Sequence, residues 1–409
     1  MKPIRCRACD SKITKSFIDL GDMPLANSFL SKSMFSREQN FPLHALVCQK
    51  CYLVQLEEFE IPEKIFSKYA YFSSYSNTML QHSEKYVKEI RKKLGLSKNS
   101  FVIEIASNDG YLLQFFKKYK IPVLGIEPAR NVSKHALKKG IPTITKFFGS
   151  KLAKKLAKEQ LPDLLIANNV IAHVPKLNDF VEGLKILLSP SGIITLEFPH
   201  LMQLIMKNQF DTIYHEHFSY FSLTTINKLF TKHNLKIVDV QQINIHGGSL
   251  RIFVTHKENY KFKEKKSVTR LMEKEDKFGI MKISTYNNFS KNILRIRKNL
   301  LKFLRDAKNK NEIVVAYGAP AKGNTLLNFA KIDSSLIEYT VDLNIHKQRL
   351  FLPGSHIPIY SPKKIFETKP NYVLILPWNL KDEIMMNMKG ISKWQGKFVI
   401  PIPNMRIYR

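Results

Sequence analysis

One short segment of this chain crowds together more chemically able side chains than any other: Asp211-Thr-Ile-Tyr214-His215-Glu216-His217-Phe-Ser-Tyr-Phe-Ser222. Removing a proton from a carbon next to a ketone requires a base near neutral pKa and a donor that steadies the enolate oxygen. Histidine with tyrosine and glutamate supplies both. Two other readings apply to the same residues. His215 and His217 as metal ligands are disfavoured, because an i, i+2 spacing aims both rings alike only in an extended strand and no further ligand is evident. The third reading is a set of satisfied polar residues that shape a turn. His173, in Val170-Ile-Ala-His-Val-Pro175, is either a second acid/base group or a helix cap.

All four cysteines lie near the N-terminus as two C-x2-C pairs, Cys6 with Cys9 and Cys48 with Cys51. That pattern matches a four-thiolate zinc site, and four thiolates leave no place for a reactive water. The zinc is therefore expected to hold structure and to take no part in chemistry. Disulfides are not expected in a reducing compartment.

These groups must be positioned by a scaffold, and the chain announces one. After a Tyr/Ser-rich segment, Tyr69-Ala-Tyr-Phe-Ser-Ser-Tyr-Ser76, apolar runs alternate with amphipathic stretches, as in a parallel sheet with crossover helices. Strands are expected at 101–106, 122–127, 143–148, 163–170 and 192–198, followed by two more at 236–243 and 249–256. Five parallel strands and then an antiparallel pair is the layout of a class I, Rossmann-like methyltransferase. Residues 257–310 predict a pair of linker helices with one apolar stripe. A second, smaller α/β unit follows, with strands at 313–318, 338–342, 371–377 and 397–402.

The third chemically suited group sits where the first strands end. Glu104-Ile-Ala-Ser107-Asn108-Asp109-Gly110 is an apolar strand that ends in an acid and small polar residues, which allow close backbone approach to a ligand. The dinucleotide fingerprint G-x-G-x-x-G is absent, which argues against a nicotinamide cofactor. Glu127 ends the next strand and can accept both hydroxyls of one ribose; Asn168 and Asn169 end the fourth. One acid for one ribose suits S-adenosylmethionine.

In the last unit, Gly318-Ala-Pro-Ala-Lys322-Gly323-Asn324-Thr325 resembles a P-loop only superficially, because its lysine precedes the second glycine. Nucleotide hydrolysis is rejected. The turn still opens a helix after a strand and is expected to hold a diphosphate, with Lys322, Asn324 and Thr325 as contacts and Asp342 and Lys347 nearby for a base or sugar. Exposed surface charge is the alternative for the last two. The glycines of His246-Gly-Gly-Ser-Leu-Arg251 either line the cleft between the units or form a plain turn.

At 409 residues and 44% hydrophobic content, the chain has enough apolar mass for two or three cores. No stretch approaches the ~20 apolar residues of a membrane span, and the N-terminus lacks the apolar run of a secretory signal, so the expected compartment is the cytoplasm. The net charge of +31 fits nucleic acid, an anionic membrane face or a diphosphate-linked metabolite as partner, and equally a lysine-rich surface without one, since the lysines are spread along the whole chain. It keeps open a second reading, an RNA-modifying methyltransferase with a zinc ribbon, although no basic-aromatic stripe accompanies the charge. A catalytically idle scaffold is a third.

Three long motifs, Tyr214-His-Glu-His-Phe-Ser-Tyr-Phe-Ser222, His246-Gly-Gly-Ser-Leu-Arg251 and Tyr317-Gly-Ala-Pro-Ala-Lys-Gly-Asn-Thr325, make the chain resemble the nucleotide-sugar C-methyltransferases of deoxysugar pathways over essentially its whole length. The resemblance implies S-adenosylmethionine as methyl donor, a structural zinc ion, a nucleotide-diphosphate sugar as acceptor, no nucleic acid or membrane partner, and a monomer. It implies His217 as the base that abstracts the proton α to a 4-keto group, with Tyr214 and Glu216 assisting and His173 in support. A tyrosine before the Rossmann-like unit also lines the family's site; of Tyr69, Tyr71 and Tyr75, Tyr71 is favoured. The implied organisation is a zinc-binding module over 1–70, a methyltransferase domain over 71–258, and a C-terminal α/β domain over 259–409 that binds the nucleotide.

Overall fold

Alternating apolar runs and amphipathic stretches give rise to three sheets in the computed structural model, which describes residues 4–59, 72–245 and 247–409. The strands, in chain order, are β1 (Lys15–Met23), β2 (Phe41–Val47), β3 (Val54–Leu56), β4 (Val102–Ile105), β5 (Val123–Ile126), β6 (Thr143–Ile144), β7 (Leu164–Asn168), β8 (Ile193–Pro199), β9 (Ser219–Tyr220), β10 (Leu235–Ile243) and β11 (Ser249–His256). Beyond them lie β12 (Val314–Tyr317), β13 (Thr340–Val341), β14 (Ile359–Tyr360), β15 (Tyr372–Ile375), β16 (Lys397–Ile400) and β17 (Arg406–Tyr408).

The central sheet has the order β10-β11-β8-β7-β4-β5-β6, parallel except for β11, which runs against both its neighbours. This is the expected class I layout. All four residues of β4 are buried, as befits a parallel strand with both faces covered. Strand order reverses between β4 and β7, and open α/β sheets bind ligands in the crevice beyond the carboxyl ends at such a point. The segment expected as a strand over 143–148 pairs only at Thr143–Ile144, since β6 is an edge with one partner and the chain turns directly into the Ser150–Leu156 helix.

The C-terminal sheet, β14-β13-β12-β15-β16-β17, is parallel but for β17. Its two outer strands are too short to show a period in the sequence. The Lys266–Phe278 and Ile283–Asn309 helices fall where the linker pair was expected, but the second does more than link. Its stripe of Tyr286, Phe289, Ile293, Ile296, Leu300 and Leu304 is buried in one core with β1 and β12. Phe17 of β1 stacks on Phe289 at 4.7 Å and meets Tyr286 edge-on at 5.6 Å.

The N-terminal sheet has the order β1-β2-β3-β9, so its last strand comes from far along the chain, immediately after Tyr214-His-Glu-His217. The zinc module and the reactive loop are thus joined by backbone hydrogen bonds. No helix among the described residues is long and apolar enough to cross a membrane.

Candidate active site and metal centre

The loop after β4 is held in an unusual backbone. Ala106, Asn108 and Gly110 all have left-handed φ values, 53°, 51° and 76°, and such residues outside glycine concentrate at functional turns. A Cβ on Gly110 would stand 2.9 Å from Ile141 Cγ1. Glu127 pins this loop: its two carboxyl oxygens accept from the N–H of Asn108 at 2.9 Å and of Ala129 at 2.8 Å. Burial pushes its carboxyl up to about 7. Asp109 accepts from Lys139 Nζ at 3.0 Å and from the Ser74 hydroxyl, and Asn108 Oδ1 accepts from the Ser73 N–H at 3.0 Å. The segment before the Asn77–Leu94 helix is thereby seated on the loop.

Four buried polar atoms at this edge lack a partner among the described residues: Glu104 Oε2, Ser107 Oγ, Asp109 Oδ1 and Asn168 Oδ1. Leaving such an atom unpaired costs about 1–3 kcal/mol. Burial, reinforced by Glu127 and Asp109, drives the Glu104 carboxyl well above its usual range. A ligand with ammonium and sulfonium charge fits this cradle of acids, and S-adenosylmethionine carries both. Asn169, with φ 55°, donates its N–H to Glu197 O at 2.7 Å and belongs to the same crevice.

In the reactive loop, His217 Nδ1 lies 3.0 Å from Thr212 O. A carbonyl only accepts, so Nδ1 carries a hydrogen, and in the neutral ring Nε2 presents its lone pair, 2.8 Å from the Tyr214 hydroxyl. His173, in the turn after β7, donates from Nδ1 to Glu216 O at 2.7 Å and packs its ring 4.7 Å from that of His217. Burial pushes His173 down to about 4, so it is neutral. Glu216 is buried; Oε1 accepts from Asn27 Nδ2 at 3.1 Å, Oε2 has no partner among the described residues, and burial lifts the carboxyl to about 7. His215 is not grouped with His217. It turns to the module, where Nε2 lies 3.2 Å from Phe41 O.

Tyr71 and Tyr69 lie outside the described residues, as does His246. Tyr75 is exposed and stacks on Phe72. The expected substrate handle is placed differently from a solvent-facing turn. Asn324 Nδ2 donates to Ala26 O at 2.6 Å and Thr325 Oγ1 to Ile213 O at 3.0 Å, so both buried side chains tie domains together. Lys322 is half-buried, bonded to Asn379 Oδ1 at 2.7 Å and poised over the Trp378 ring, and its desolvation lowers its proton affinity. Asp342 accepts from the N–H groups of Ala319 and Asn344, while Lys347 Nζ donates to Ala319 O at 2.8 Å.

Sequence reasoning missed three groups. Asn27 is one. The second is a buried ion pair, Glu197 with Arg251 across adjacent strands, joined by His82 Nε2 at 3.0 Å; their facing register is readable only once β8 and β11 are known to pair. The third is the partner of Asp211, a residue already named in the reactive segment: Asp211 Oδ2 accepts from Trp378 Nε1 at 2.6 Å, and the Asp211 carboxyl is raised to about 6 by burial.

The metal centre has two matching knuckles. Asp10 N–H bonds to Cys6 O and Tyr52 N–H to Cys48 O, each at 2.9 Å, and both Asp10 and Tyr52 adopt left-handed φ. The four Sγ atoms all lie within 4.8 Å of one another, with Cys6 and Cys51 3.4 Å apart. A tetrahedral ion with bonds of about 2.3 Å needs sulfurs about 3.8 Å apart, so the four thiols fit zinc. The Cys6 thiol is pulled down to about 5 by its bond with Cys51, whose own thiol is driven up.

Family models match in three consecutive blocks: "Putative zinc binding domain" over residues 6–66, "Methyltransferase domain" over 79–240 and "C-methyltransferase C-terminal domain" over 244–403. The C-methyltransferase NovU of Streptomyces niveus is 34% identical over 410 aligned residues, which span 100% of this chain and 97% of that protein. Among solved structures, the PH0226 protein of Pyrococcus horikoshii aligns with 49% of this chain and 100% of its own, at 16% identity and a TM-score of 0.38. The magnesium protoporphyrin IX methyltransferase of Synechocystis, solved with S-adenosylhomocysteine bound, aligns with 43% of this chain and 83% of its own at 14% identity and a TM-score of 0.35.

Proposed function

This chain belongs to the S-adenosylmethionine-dependent C-methyltransferases, and we propose that its acceptor is a nucleotide-diphosphate-linked 4-keto-deoxysugar, methylated at the carbon beside the keto group through an enolate with His217 as base. The observation that carries this reading is the tautomer of His217. Its Nδ1–H is committed to Thr212 O, which leaves the Nε2 lone pair as the acceptor of a proton. The Tyr214 hydroxyl now occupies that lone pair; when acceptor enters, the hydroxyl turns to the ketone oxygen and the lone pair meets the carbon-bound hydrogen. The C–H electron pair then becomes the enolate π bond, the proton passes to Nε2, and Tyr214 donates to the enolate oxygen.

S-adenosylmethionine, when bound, would supply an electrophilic methyl group for the enolate carbon. The residues that would hold it are Glu104, Ser107, Asn108, Asp109, Gly110, Glu127, Asn168 and Asn169. Tyr71 remains the proposed additional lining residue. Lys322, Asn324, Thr325, Asp342 and Lys347 are proposed to shape the substrate side of the C-terminal domain, with the first three acting through the packing of the Ala321–Ala330 helix.

Incubation with methyl-labelled S-adenosylmethionine and a panel of nucleotide 4-keto-deoxysugars, read by mass and carbon NMR, tests the reading. A new methyl carbon bonded next to the keto carbon is the expected product. Label on oxygen or nitrogen, or label only in added RNA, contradicts it.

A further inference from the structure

Glu216, beside His217 in the reactive loop, has its carboxyl gripped by a side chain from the zinc module. We propose that Asn27, carried by the zinc module, is a positioning residue for the reaction: its side-chain amide fixes the Glu216 carboxyl in the loop and favours its ionised form. The inference rests on the reading of this loop as an acid/base site, but its test does not require the sugar.

The geometry is specific. Asn27 Nδ2 donates to Glu216 Oε1 at 3.1 Å, and the residue before it is locked by Asn324 Nδ2 on Ala26 O at 2.6 Å. From the other side, Ile213 O is held by Thr325 and Glu216 O by His173. Asn27 therefore cannot drift without moving the C-terminal helix Ala321–Ala330, and Glu216 cannot drift without moving the loop. Oε2 of Glu216 is buried with no partner among the described residues. A carboxyl with one oxygen gripped and the other unsatisfied is poised to exchange a proton.

Burial is the main influence that raises the Glu216 carboxyl; the chief opposing one is the Asn27 side chain, followed by the N–H of Glu216 itself and of Asn27. The groups that face it from packed elements are Asn27 from the module, His173 from the turn after β7, and Tyr220 from β9, whose phenol burial keeps protonated. His173 is neutral, so the amide is the principal lever on the ionised state.

Infrared titration of the zinc-loaded full-length enzyme reads this directly. The Glu216 carboxyl band is assigned by its loss in Glu216→Gln, then followed from about pH 5 to 9 in wild type, Asn27→Leu and Asn27→Ala. Zinc content and thermal midpoint identify folded samples. Removal of the donor is expected to move the midpoint upward by about one pH unit, a tenfold change in proton affinity. Asn27→Gln, which keeps an amide donor, is expected to restore part of the shift. An unmoved midpoint in either folded variant lacking the donor overturns the proposal, as does a wild-type band that never titrates. Absence of methyl transfer to any keto sugar, with the midpoint shift intact, overturns only the substrate reading.

Discussion

At the scale of single residues, the chemistry depends on how hydrogens are assigned by acceptors that cannot donate. Thr212 O fixes the His217 tautomer, and Glu216 O does the same for His173. Replacing His217 with alanine is expected to leave S-adenosylmethionine binding by calorimetry unchanged while turnover falls by roughly two to four orders of magnitude; near-normal turnover would refute its role. Glu216 makes a prediction about stability with a definite sign. Its carboxyl, raised to about 7 in the fold from an unfolded value of 4.5, binds a proton more tightly folded than unfolded. Its contribution is fully present below the unfolded value and is lost as pH rises through about 7. Glu216→Gln imitates the protonated form, so its stability relative to wild type should rise between about pH 5 and 8, by up to about 3 kcal/mol. Denaturant melts at the two ends of that range check this, and a gap that shrinks with rising pH would oppose it.

At the scale of elements, the loop after β4 shows what the crevice demands of the backbone. Gly110, at φ 76° and with a Cβ position 2.9 Å from Ile141, has no room for a side chain. Gly110→Ala should destabilise by about 1–3 kcal/mol and weaken cofactor binding together; a thermal midpoint and binding constant both matching wild type would show that the loop tolerates another geometry. The elements differ in how plainly the sequence displays them. The parallel strands and the cysteine pairs are local patterns, so their types and order are readable from the chain. Strands β9, β14 and β17 span two or three residues and carry no period of their own; they exist because a neighbour offers an edge. Asn324 and Thr325 look like a ligand handle for a physical reason: polar residues in a glycine-flanked turn after a strand suit an anion and suit an interdomain bond equally well. Only the arrival of Ala26 and Ile213 decides between them. Asn27 gives no signal at all, because its partner lies 189 residues away.

At the scale of the molecule, the three blocks are not beads on a string. β9 completes the module's sheet, Phe17 shares a core with the Ile283–Asn309 helix, and Arg7 donates to Leu56 O and to Phe218 O. The zinc site supports that junction. Cys48→Ser, or removal of zinc by a chelator, is expected to lower folding yield and the thermal midpoint, with activity falling in step with the folded fraction. A variant that folds with wild-type stability yet has lost all turnover would assign the metal a chemical role that four closed thiolates do not allow.

The proposed role of His217 is to break a carbon–hydrogen bond, and exchange of that hydrogen with solvent reports the step without methyl transfer. Wild-type enzyme held in D₂O with a nucleotide 4-keto-deoxysugar and S-adenosylhomocysteine should place deuterium at the carbon beside the ketone, faster than the uncatalysed exchange, while His217→Ala should not. Equal exchange by the two proteins, or none by wild type on an acceptor it methylates, would contradict it.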